Sequence, residues 1–174
     1  ACSATGAPRG DGGGISANQT DPLWLDRNTV IRNVASQSQW GYGGGLYLSM
    51  GTRFTMTNNI IAGNNATQQG GGLAFDTDVP LPVTGTLLHN TFASNDAGTG
   101  DGQNAIHANL PRVFLTGANN LFYDHRYALY ADSGAGITLT RSLFFGNSPL
   151  TVVKYREGVF WLKGFSREFL TNFA

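Results

Sequence analysis

Five short segments of this chain can be laid over one another: NTVIRN (28–33), NIIAGN (59–64), NTFASN (90–95), NLFYDH (120–125) and SLFFGN (142–147). Each opens on a small polar residue, carries Val, Ile or Phe at its third place and closes on Asn, or once on His. The step from one start to the next is nearly constant through Asn28, Asn59, Asn90 and Asn120, and the last step, to Ser142, is markedly shorter. A period of this size marks a stacked-repeat architecture, because one such unit is too small to bury an apolar face unless its neighbours cover it.

The rest of each repeat reads as strand. Shortly before each start stand Leu23/Leu25, Phe54/Met56, Gly85/Leu87, Leu115/Gly117 and Ile137/Leu139, alternating with more polar residues. Alternation of period two is the mark of a strand with one buried face. A further alternating pair follows the polar turn: Leu46/Leu48, Leu73/Phe75, Ile106/Ala108 and Leu129/Ala131. Each repeat therefore offers two or three short strands joined by Gly, Asn or Asp turns. The expected fold is all-β: a right-handed parallel β-helix of about five coils over residues 21–152. Stacking places Val30, Ile61, Phe92, Phe122 and Phe144 in one core column. It also places Asn33, Asn64, Asn95, His125 and Asn147 in an asparagine ladder, whose buried amides bond each other and the turn backbone. Asn suits such a turn because it tolerates the left-handed conformation.

The triplets GGG at 43–45 and 70–72 each stand directly before an apolar strand. Glycine is expected there because the chain must bend with positive φ, with no room for a Cβ against the next coil.

Composition narrows the function classes. Eleven basic and eleven acidic residues leave no net charge, and only 13 % of residues are charged. Phosphate binding needs a basic excess, so nucleic acid is not expected as partner. No apolar run approaches the ~20 residues of a helical membrane span. Cys2 is the single cysteine, which rules out an internal disulfide and a Cys-rich metal site.

Some of these residues resemble a known family. FASN (92–95) and FFGN (144–147) are similar to the F-x-x-N half of the polymorphic outer-membrane protein repeat. GGGL at 43–46 and 70–73 is similar to its G-G-[AG]-[ILV] half, and IAGN and FYDH are looser copies. The resemblance covers about residues 23–152. It implies a β-helix of the broad pectate-lyase-like class, whose members are exported or surface-displayed adhesins, autotransporter passengers or polysaccharide-active enzymes. The chain departs from the pattern where its third and fourth repeats lack the triple glycine and where His125 replaces Asn.

The ends differ from the middle. Residues 1–20, rich in Gly, Ser and Ala, read as a flexible leader or linker. Residues 153–174 bring Tyr155, Phe160, Trp161, Phe165, Phe169 and Phe173 close together and read as a cap over the last coil, with a short helix from Ser166. A partner-docking surface is the alternative.

Outward on the post-glycine strands the register sets Tyr47, Ala74, His107 and Tyr130 in one column, flanked by Asp76 and Asp132. Aromatic rings beside carboxylates suit a glycan, the rings stacking on sugar faces and the carboxylates taking hydroxyl hydrogen bonds. An ordinary solvated strand surface accounts for the same residues. Asp76 and Asp132 are also the candidate catalytic pair of a polysaccharide lyase or hydrolase. Asp76 and Asp78 offer oxygen ligands for Ca2+, though acidic pairs in turns are common; otherwise no cofactor is expected. YDHRY (123–127) is the densest polar cluster, with His125 expected to point into the ladder. The first functional expectation is a noncatalytic, extracellular or cell-surface scaffold, adhesin-like or glycan-binding, which could belong to a longer repeat protein. The second is a polysaccharide-active enzyme.

Overall fold

The computed structural model describes residues 9–37, 40–76, 81–97, 104–108, 112–131, 135–147, 153–155 and 160–163. It is a parallel β-solenoid with three long faces. The first face carries Ile15–Asn18, Leu46–Ser49, Leu73–Asp76, Asn104–Ala108, Tyr127–Ala131 and Val153–Tyr155. The second carries Leu23–Asp26, Arg53–Thr57, Val83–Leu88, Val113–Ala118, Gly136–Thr140 and Phe160–Lys163. The third carries Thr29–Ile31, Ile60–Ala62, Thr91–Ala93, Leu121–Tyr123 and Leu143–Phe145. All recorded pairings within these faces are parallel, and no helix occurs among the described residues.

A short fourth face, Val34–Ala35, Asn65–Ala66 and Asp96–Ala97, is present in three coils among the described residues. The expected series of about five uniform coils is therefore three full turns, followed by abbreviated ones. The physical reason is that the step from Asn120 to Ser142 is shorter than the step from Asn90 to Asn120, which leaves no chain for a fourth strand.

Inward residues form the core. Phe92, Phe122 and Phe144 stack with centroids 5.1 and 4.8 Å apart, above Ile61 and Val30 in the same register. In the column Phe54–Gly85–Leu115, the Phe54 ring occupies the space that a Gly85 side chain would need.

Both turns flanking the third face carry a ladder. In the expected one, the backbone N–H and Nδ2 of Asn33 both donate to Asn64 Oδ1 at 3.0 Å. Asn64 donates to Asn95 Oδ1 in the same way, and the second hydrogen of its Nδ2 goes to Val30 O at 2.9 Å. His125 and Asn147 continue the column. The other ladder, Asn28–Asn59–Asn90–Asn120–Ser142, sits at the first place of the repeat and follows the same scheme as far as Asn120, which donates only its backbone N–H to Ser142 Oγ.

The ladder asparagines are not the left-handed residues. Those immediately precede them: Arg27, Asn58, His89, Asn119 and Arg141 at one turn, and Arg32, Gly63, Ser94, Asp124 and Gly146 at the other, with φ between 47° and 64°. The ladder itself explains this. A side chain committed to two neighbouring coils fixes its own backbone, so the bend falls one residue earlier.

The leader expectation fails from Arg9 onward. Arg9–Asp11 pairs with Trp40–Tyr42, and Ile15–Asn18 pairs with Leu46–Ser49. Gly12–Gly14 is a third glycine triplet, stacked on Gly43–Gly45. The triplets combine two demands. Their first members, such as Gly70, have φ near +65°. At the second member the next coil intrudes: a Cβ on Gly71 would lie 2.1 Å from Asp96 O. At the other end, Val153–Tyr155 and Phe160–Lys163 extend the first and second faces, so the stack runs past residue 152. The helix expected from Ser166 lies outside the described residues.

Candidate functional site

The outward column of the first face holds its expected register. Tyr47 pairs with Ala74, Ala74 with His107 and His107 with Tyr130. It is not a solvated surface: Tyr47, His107 and Tyr130 are 8 %, 2 % and 6 % exposed. Outward on a strand means away from the solenoid core, and that direction is covered here. Beneath the cover the residues form a polar cluster. Tyr47 Oη donates to Asp76 Oδ2 at 2.7 Å. Asn104 Oδ1 accepts from Gly70 N–H, which leaves Asn104 Nδ2 to donate to His107 Nδ1 at 3.2 Å. His107 Nδ1 is therefore the acceptor of a neutral ring, and that ring stacks on Tyr130 at 4.5 Å. Asp78 and Asp132 lie outside the described residues, and with them the expected Asp76–Asp132 and Asp76–Asp78 pairs. Among the described residues no three His, Cys, Asp or Glu side chains gather where a metal could bind. No helix among them is long and apolar enough to cross a membrane.

The open site is elsewhere, at the step where the coils shorten. Asp96–Ala97 is the last strand of the short face. In the next coil the chain turns from Tyr123 directly into Tyr127–Ala131. The missing strand leaves a cleft of about 270 Å³ lined by Ser94, Asp96, Asp124 and Arg126, with Asn95 and His125 at its floor. Asp124 accepts a hydrogen bond from Ser94 Oγ at 2.8 Å, and the Arg126 guanidinium lies over the Tyr127 ring. Immediately before Asp124, the exposed Tyr123 ring stacks on exposed Phe145 at 5.6 Å and 14°. Sequence reading singled out YDHRY but not this cleft. The signal that could have found it was the shortened step between Asn120 and Ser142.

His125 is the one imidazole in the cleft, and both of its nitrogens serve the ladder. Asn147 Oδ1 faces Nδ1 at 3.1 Å and Asn95 Nδ2 faces Nε2 at 3.3 Å. An amide oxygen only accepts and an amide nitrogen only donates, so the proton sits on Nδ1. Burial pushes the pKa down from 6.5 to about 4, against smaller upward pulls from Asn147 and Asp124. The unfolded chain takes up a proton below pH 6.5 that the folded chain refuses until about pH 4. Stability contributed by the neutral ring is thus complete above 6.5 and falls as pH drops to 4, by roughly 3 kcal/mol. His125→Asn removes this titration while keeping a ladder residue. Urea unfolding at pH 7 and pH 4 is expected to show the wild type losing that much more stability than the variant. Equal losses would contradict the ladder role.

No protein-family model matches this chain, and no curated protein or solved structure matches it. The fold and its two ladders define a parallel β-solenoid with polar stacks at both turns of its third face.

Proposed function

We propose that this protein is a noncatalytic, exported or surface-displayed β-helix that binds glycan at the step cleft. The observation behind this reading is the exposed Tyr123–Phe145 ring pair next to Ser94, Asp96, Asp124 and Arg126. Stacked rings offer a flat apolar platform, and the neighbouring groups can donate to and accept from sugar hydroxyls. The resemblance of FASN, FFGN and GGGL to the polymorphic outer-membrane protein repeat supports display at a cell surface. Commitment of His125 to the ladder weighs against acid–base chemistry in the cleft, because a general base needs a nitrogen available to the substrate. The wild type is expected to bind members of a glycan array, and Tyr123→Ala is expected to lose those held at the cleft. Neither reducing ends nor unsaturated products are expected from polysaccharide incubations. Turnover lost in Asp76→Asn would instead restore the lyase or hydrolase reading. Binding unchanged by Tyr123→Ala removes the cleft.

A further inference from the structure

The outer side of the second face repeats one residue type. In register across four neighbouring strands stand Thr55, Thr86, Thr116 and Thr138. Thr84, Thr57 and Thr140 occupy the columns on either side. Seven of the twelve outward positions on Arg53–Thr57, Val83–Leu88, Val113–Ala118 and Gly136–Thr140 are therefore threonine. Strand propensity alone does not explain this, since the third face, built of equally regular strands, has threonine at two of its ten outward positions, Thr29 and Thr91.

The hydroxyls divide into two groups. Thr57 donates to Asp26, and Thr140 donates to Gly117 O at 3.3 Å. Among the described residues, the four hydroxyls of the central column take no protein partner. They form a row with the strand spacing of about 4.8 Å, close to the advance per unit of an extended sugar chain. Charge is sparse and paired: Arg53, the only charged residue among the twelve positions, meets Asp21 at 3.4 Å, and Asp26, two residues after Trp24 and in register with Thr57, meets Arg27 at 3.4 Å. Two aromatic rings stand proud of the face. Trp24, 71 % exposed, heads the central column in register with Thr55, and Phe114 is 47 % exposed in the next column. Beside Arg53 and Thr84 a hollow of about 450 Å³, also lined by Met50 and Leu81, adjoins the rim.

We infer that this face binds an extended, uncharged polysaccharide lying along the solenoid axis, one sugar unit to each rung, with Trp24 stacked on a sugar ring. The inference shares the glycan-binding reading above but concerns a different face. The hydroxyl row supplies donors and acceptors at the repeat of the ligand, the few charges are already paired, which suits a neutral chain, and the hollow accommodates a branch. A threonine lattice would also suit the ordered surface of ice, but the protruding Trp24 and Phe114 break the flatness that an ice plane demands.

The test measures retention of the full chain on microcrystalline cellulose, chitin and insoluble β-1,3-glucan, with polygalacturonate as the acidic control. The variant Thr86→Val with Thr116→Val replaces each hydroxyl with a methyl at constant shape and strand propensity, so its melting curve is expected to match the wild type. Retention on at least one neutral polymer is expected, at least tenfold weaker for the double valine variant and for Trp24→Ala, and unchanged for Tyr123→Ala. No retention on any of the three neutral polymers, or equal retention by the double variant, overturns the inference. Loss in Tyr123→Ala alone moves glycan binding to the cleft, so that the earlier reading stands and this one falls. Thermal hysteresis that disappears in the double variant, without polymer retention, assigns the face to ice and also overturns it.

Discussion

Phe122→Ala is expected to remove about 3–5 kcal/mol of folding stability, read as a lowered midpoint in urea unfolding. Phe122 is fully buried and stacks on a ring in the coil before and on another in the coil after, so truncation cuts both contacts. The hole cannot close easily. Flanking backbone is held at fixed spacing by strand pairing on both sides, and the Asn90–Asn120 and Asn95–His125 contacts keep the turns from collapsing inward. That places the cost toward the upper end of the range. A midpoint within error of the wild type would show that the column does not hold the core together.

Asn64→Leu is expected to cost about 2–6 kcal/mol, although it replaces a polar side chain with an apolar one of similar size in a fully buried place. Transfer energies alone predict a gain. The ladder reverses the sign. Loss of Oδ1 strips the acceptor from the Asn33 backbone N–H, and loss of Nδ2 strips a donor from Val30 O. Each orphaned buried group costs about 1–3 kcal/mol. At a pH where its carboxyl is protonated, Asn64→Asp keeps the acceptor and has one O–H in place of the two N–H donors that serve Val30 O and Asn95 Oδ1, so its denaturation midpoint should lie between those of Asn64→Leu and the wild type. A leucine variant as stable as the wild type would mean that the amide column is ornamental.

Most of this architecture was legible because the core and one ladder recur at nearly constant spacing. Stacking turns that spacing into contact, so Val30 to Phe144 and Asn33 to Asn147 could be placed from the chain alone. The second ladder was visible as a small polar first residue in each segment, yet polarity at a strand boundary also suits an exposed turn. What decides is a partner one coil away, which no single repeat displays. Gly12–Gly14 was missed for a related reason. It stands one full repeat before Gly43–Gly45, but the Gly-rich surroundings mask it, and the strand leading into it, Arg9–Asp11, carries no apolar alternation. The first face misled in another way. Period two separates core-facing from outward residues but says nothing of what lies beyond the sheet, so Tyr47, His107 and Tyr130 looked exposed. The cleft at Asp124 depended on a missing strand. Absence leaves no residue pattern, only a shorter interval. The threonine columns were present as letters, but they became a surface only once the register aligned them.

The shortening of the coils also has a mechanical meaning. Force applied to the two chain ends loads the outermost coil on each side, because each coil is held only by its neighbours. Extension therefore proceeds by peeling. At the reach of an extended chain, a full coil releases roughly 100–110 Å of slack and a shortened coil roughly 75 Å. A tether built this way lengthens in discrete increments whose size reports which end is yielding. The short increments come from the Phe144 end and the long ones from the Val30 end, and the rungs still in place keep their register while the others unwind.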